Sequence, residues 1–110
     1  DELLPIQAVQ YLKEENPPGY LFNDYNWGGY LMWALPEYPV FIDGRTDLYG
    51  DELIQEWLTV VQAQPGWDEI LDSRNIQVVL VPKSYPITEI LPHNGWQELY
   101  QDGLAVILVR

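Results

Sequence analysis

The sequence predicts an α/β domain built on a mixed sheet, and three observations carry that prediction. Val78-Val79-Leu80-Val81 is apolar without alternation, as expected of a strand covered on both faces. Apolar stripes at helical spacing precede it in the chain. Two apolar runs, 96–100 and 104–109, flank Asp102-Gly103, a strong hairpin signal. The expected architecture is a single three-layer domain over residues 1–110. Its mixed, mostly parallel sheet has about five strands and ends in an antiparallel hairpin.

The elements follow in order. Residues 5–15 read as a helix, with Pro5 in the first turn, Ile6 and Val9 on the apolar stripe, and Asn16-Pro17-Pro18-Gly19 as its stop. Tyr20-Leu21-Phe22 suits a short buried strand, and Asn23, Asp24 and Asn26 are turn formers. Residues 27–35 form a short helix ended by Pro36, and apolar residues nearly all round predict burial from several sides. Pro39-Val40-Phe41-Ile42 reads as a second core strand, followed by the polar loop Asp43-Gly44-Arg45-Thr46-Asp47. The clearest helix spans 51–63, with Leu53, Ile54, Trp57, Leu58, Val60 and Val61 on one face and Asp51 and Glu52 in the first turn. Residues 67–74 form another short helix, 78–81 the central strand, 87–92 a helical turn, and the hairpin closes the chain.

Composition narrows the functional classes. The chain has 110 residues, enough for a core without staples, and it lacks cysteine. Thiolate metal sites and thiol nucleophiles are therefore excluded. A single histidine, His93, excludes a multi-histidine centre within the chain and sits in a Pro-His-Asn-Gly turn. Seventeen acids against five bases give a net charge of −12, which repels nucleic acid and anionic membrane surfaces. No apolar run approaches the roughly 20 residues that span a bilayer. The first residue is Asp1, so a processed product or an excised segment is expected.

Residues 22–50 concentrate what specific chemistry there is. This stretch holds four of eight glycines, four of eight tyrosines and two of five tryptophans. Asp24 and Asp43 are expected at one sheet edge if Phe22 and Ile42 end neighbouring parallel strands, and ligands of open α/β sheets bind there. A hard divalent cation of Ca²⁺ type on Asp24, Asp43, Asp47 and Asp51 is one reading of these oxygens. The plainer reading has Asp43 capping a turn, Asp51 capping a helix and Asp47 paired with Arg45. No other cofactor is expected. The Arg45 guanidinium is suited either to that ion pair or to an incoming phosphate or carboxylate. Trp27-Gly28-Gly29-Tyr30 opens a helix, where an anion or tight helix–sheet packing would use the glycines. It is neither G-x-G-x-x-G nor a P-loop. Trp27, Tyr30 and Trp33 suit stacking on a sugar ring where exposed, and a core where not. No serine has a glycine elbow or a base, so no catalytic residue is assigned.

The same stretch, FNDYNWGGYLMWALPEYPVFIDGRTDLYG, resembles the extracytoplasmic C-terminal domain of bacterial polytopic membrane proteins similar to GT-C-type glycosyltransferases. The strand at 78–81, Trp96, Tyr100-x-Asp102 and the final strand fit the same pattern, so the resemblance spans nearly the whole chain. More remotely, the segment resembles the part of oligosaccharyltransferase catalytic subunits that carries WWDYG. Aligned on Gly28, this chain has Asp24, Tyr25 and Asn26 where that motif has its two tryptophans and aspartate. The motif's acceptor-peptide role is therefore not carried over.

The resemblance implies an accessory domain at the extracytoplasmic face of the membrane, without turnover of its own. Its implied partners are its own transmembrane region and a lipid-linked sugar or acceptor. Asp24, Trp27, Gly28, Gly29, Tyr30, Asp43, Arg45 and Asp47 are the residues expected to face that site. A freestanding acidic protein-interaction module and a carbohydrate-binding domain are the alternatives.

Overall fold

A computed structural model describes residues 4–43 and 51–110. The chain is mixed α/β. Its elements are α1 (Ile6–Glu15), β1 (Tyr20–Asn23), a 3₁₀ turn (Tyr25–Trp27), α2 (Gly28–Ala34), α3 (Asp51–Val61), α4 (Trp67–Ser73), β2 (Ile76–Pro82), α5 (Ile87–Ile90), a second 3₁₀ turn (Leu91–Asn94), β3 (Gln97–Gln101) and β4 (Ala105–Val109). Among the described residues no helix is long and apolar enough to cross a membrane.

Among the described residues the sheet has four strands, in the order β1-β2-β4-β3. Only β1–β2 is parallel, while β2–β4 and β3–β4 are antiparallel. The expectation of a mostly parallel sheet is thereby corrected. The terminal hairpin inserts β4 directly beside β2, so the central strand has one neighbour of each sense.

Alternate positions of the inner strands enter two apolar clusters. Val79, Val81, Val106 and Leu108 join Phe22, Trp57, Val60, Val61, Leu71, Ile87 and Leu91. Val78, Leu80, Ala105 and Ile107 join Ala8, Val9, Leu12, Leu21, Leu31 and Leu35. A strand with side chains buried in both directions has no polar side to alternate to. That is why β2 reads as an unbroken apolar run.

The expected strand at 39–42 is absent, and Asn23 explains why. Asn23 ends the edge strand β1 and is fully buried. Its Oδ1 accepts from Phe41 N at 2.7 Å and Ile42 N at 3.4 Å, and its Nδ2 donates to Ile42 O at 2.9 Å. The carboxamide takes the backbone groups that a neighbouring strand would have taken. Pro39 contributes no N–H to a ladder either. The segment is held further by the Phe41 ring, 4.7 Å from Phe22 and 5.5 Å beneath the Arg74 guanidinium, which Glu56 pairs at 2.7 Å.

Helix ends follow local chemistry. α1 stops at Asn16, which takes the left-handed conformation at φ 46° and donates its N–H to Leu12 O at 2.8 Å. The Tyr38 hydroxyl donates to Pro17 O, tying the chain after α2 to this stop, and burial beside Glu37 pushes its phenol up. At the hairpin, Asp102 Oδ1 accepts from Leu104 N at 2.7 Å and Ala105 N at 2.8 Å. The Asp-Gly signal is thus an aspartate closing its own turn.

Candidate functional site

The site residues are placed by how β1 ends. In a parallel pair, a residue that donates to position j accepts from position j+2. Asp24 donates its N–H to Leu80 O at 3.2 Å, so its carbonyl faces position 82. That position is Pro82, which has no N–H, and the ladder stops. The freed carbonyl accepts from Trp27 N at 3.1 Å and Asn23 Nδ2 at 2.8 Å, turning the chain into the 3₁₀ turn.

Asp24 then sits at the C-terminal end of β1, only 1% exposed. Its Oδ2 accepts from Asn26 N at 3.2 Å, capping the turn. Its Oδ1 accepts from the Tyr85 hydroxyl, which arrives from the loop after β2. Burial raises the Tyr85 phenol well above its ordinary value, and the Asp24 hydrogen bond and charge add to the shift. The Trp57 indole closes the same corner, with Nε1 donating to Asn23 O at 3.1 Å. Its ring lies 6.3 Å from Tyr85, edge-on, and 5.8 Å from Tyr25. Trp57, Leu58, Val61, Gln62, Tyr85 and Pro86 line a shallow apolar cleft of about 350 Å³ outside this corner.

Gly28 brings the second acidic residue to the same place. A Cβ built on Gly28 would stand 2.3 Å from Ile42 O and 2.6 Å from Asp43 Cα. Only glycine lets the start of α2 lie against this backbone. Asp43 is buried there at 6% exposure. Asp24, Gly28 and Asp43 are thus gathered at one end of the sheet, although the parallel strand expected to bring Asp43 there is absent.

The other expected residues divide differently. Trp27 is 4% exposed and lies in the core with Leu31 and Val78, so its ring is not presented to solvent. Gly29 and Tyr30 lie on the outer side of α2, Gly29 exposed and Tyr30 half-buried. α2 is not buried all round, since Met32 is 42% and Trp33 80% exposed. Arg45 and Asp47 lie outside the described residues, and with them the Arg45–Asp47 pairing and one of the four carboxylates of the cation reading. Asp51 is exposed in the first turn of α3. Among the described residues no three of His, Asp and Glu are grouped to hold a metal ion.

The corner is chemically saturated. Among the described residues, no buried side-chain nitrogen or oxygen lacks a hydrogen-bond partner. Both Asp24 oxygens are engaged, one by a backbone amide and one by a phenol. Such a carboxylate holds two chain segments together and is poorly placed to take a proton from a substrate. The first amide of α2 is similarly engaged, since Gly28 N–H donates to Tyr25 O. Sequence reasoning missed Asn23, Trp57 and Tyr85. Tyr85 was open to detection, because it follows the central strand's C-terminal end, where loops converge on Asp24.

Comparison with family models, curated proteins and solved structures finds no match to this chain.

Proposed function

We propose that this chain is an accessory, non-catalytic recognition domain of a membrane glycosyltransferase-like protein. It acts at the extracytoplasmic face and helps a membrane-embedded centre hold an acceptor or a lipid-linked sugar. The observation that carries the reading is the division of labour around α2. At its inner end Asp24 is buried with both carboxylate oxygens hydrogen-bonded and Asp43 is buried beside it, whereas its outer side offers an 80% exposed Trp33. Between Asp24 and Glu37 there is no charged residue. A surface of that kind recognises a ligand without supplying a nucleophile, a general base or a charge clamp.

The finer architecture belongs to the same proposal. A three-layer arrangement is supported by the two apolar clusters that alternate strand residues enter. Gly28 then seats α2 on one side of the sheet end, and Tyr85 and Trp57 close it from the other.

The test is sugar transfer from a polyprenyl-phosphate donor. The isolated chain gives none, and the parent lacking these residues loses transfer or binds its acceptor more weakly. Transfer by the isolated chain overturns the reading. A freestanding acidic interaction module is the second reading, favoured by the net charge of −12. It predicts a cationic protein partner held by the chain alone, with affinity that falls as salt is raised.

A further inference from the structure

Two glycines stand side by side at the start of α2, and among the described residues only one has a packing reason. Gly28 is required by the backbone of Ile42 and Asp43. Gly29 is not. It is helical, it is not among the glycines at positive φ, and a Cβ built on it meets nothing within 4 Å. Helices favour alanine over glycine at such a position. Among the described residues, neither packing nor conformation asks for a missing side chain here. A bare backbone in that position permits close approach of something from outside.

The neighbours of Gly29 say what approaches. Long helical side chains lean toward the N-terminus, over the turn three and four residues back. For Trp33 those residues are Tyr30 and Gly29. The Trp33 and Tyr30 rings lie 6.2 Å apart at 45°. The 80% exposed indole thus borders a shelf with no side chain on it, with the Tyr30 ring at its side. Exposed Asn26 lies one turn earlier.

We infer that this shelf binds one neutral pyranose ring of an oligosaccharide, its apolar face stacked on Trp33 and its hydroxyls toward Tyr30 and Asn26. The shelf carries no charge in a chain of net charge −12, which disfavours anionic ligands and a second copy alike. α2 has seven residues, about 10 Å of helix. Such a face suits one sugar ring and falls far short of the roughly 800 Å² per partner that a stable dimer buries. The inference deepens the proposed recognition role, on which it rests, by naming the ligand class and the residues that meet it.

The experiment is ligand-observed NMR and tryptophan fluorescence on the full 110-residue chain with cellotriose, mannotriose and tri-N-acetylchitotriose. At least one sugar is expected to bind, and Trp33→Ala to weaken it about tenfold or more. Gly29→Gln is expected to abolish binding by occupying the shelf. Gly29→Ala keeps the fold intact, raises Tm by about 4 °C and still weakens binding, which separates the shelf from stability. No binding by any of the three sugars overturns the inference, as does binding that both Gly29 variants leave unchanged. Self-association, or binding to phosphatidylcholine vesicles in place of sugar, overturns it too. The parent's transfer activity is scored separately. A shelf that fails while deletion of the domain still impairs transfer refutes the ligand class alone. A shelf that binds while deletion leaves transfer intact refutes the accessory role alone.

Discussion

The Tyr85 hydroxyl donates to Oδ1 of Asp24, closing a link between residues 61 apart in sequence. It joins the loop after the central strand to the turn after the edge strand. Because Asp24 is buried, the phenol and the Asn26 amide together compensate it for leaving water. Tyr85→Phe is expected to destabilise the fold by about 2 kcal/mol, the worth of a hydrogen bond to a charged group. Asp24→Asn in the Tyr85→Phe background should cost less than in the parent, and urea unfolding of the double-mutant cycle measures that coupling. Independent, additive losses would mean that the two groups do not act together.

Asn23→Ala removes partners from Phe41 N, Ile42 N, Ile42 O and Asp24 O at once. The expected loss is about 3 kcal/mol, larger than for an ordinary buried truncation of this size. Hydrogen exchange locates it: the amides of Phe41 and Ile42 should lose protection before those of β2 and β4.

The glycine pair gives opposite signs. Gly28→Ala places a methyl against Ile42 O and Asp43, and should destabilise by about 2–3 kcal/mol. Gly29→Ala meets nothing and should stabilise by about 0.5–1 kcal/mol. Thermal melts of the two variants suffice, and equal effects would contradict the contact at Gly28.

Two titrations frame the pH response of the hairpin. The hydrogen bond to Asp102, with burial and charge, pushes the Tyr100 phenol up to about 12. Its folded pKa lies above its unfolded one, so its contribution is complete below about pH 10 and declines as pH rises toward 12. Burial alone would raise Asp102, but bonds from Tyr100, Ala105 and Leu104 outweigh it and hold the carboxyl below its ordinary range. That contribution is present above the unfolded value and is lost as pH falls through the folded one. Tyr100→Phe should flatten the alkaline limb of a stability–pH curve, and an unchanged limb would contradict the assignment.

Much of this structure is legible in the sequence where one physical signal dominates. The unbroken run at 78–81, the Asp-Gly turn and the stripe from Leu53 to Val61 all became the elements they announce. The failure at 39–42 has a specific cause. Val-Phe-Ile has the composition of a strand, but a distant side chain, Asn23, takes its hydrogen bonds. Likewise, α2 is apolar all round by composition, yet Met32 and Trp33 face outward. Composition cannot distinguish a residue awaiting the core from one awaiting a ligand. At the site, Asp24 and Asp43 come together through Asn23 and Gly28 and not through the parallel strand pair expected of them, and Trp57 enters through a tertiary contact that no local pattern encodes.

The central claim is that this chain recognises and does not react. It is tested most directly by sugar transfer from a polyprenyl-phosphate donor, measured for the isolated chain and for the parent with and without residues 1–110. The account predicts no transfer by the isolated chain and impaired transfer by the parent that lacks it. Transfer by the isolated chain, or an undiminished rate without it, would contradict the account.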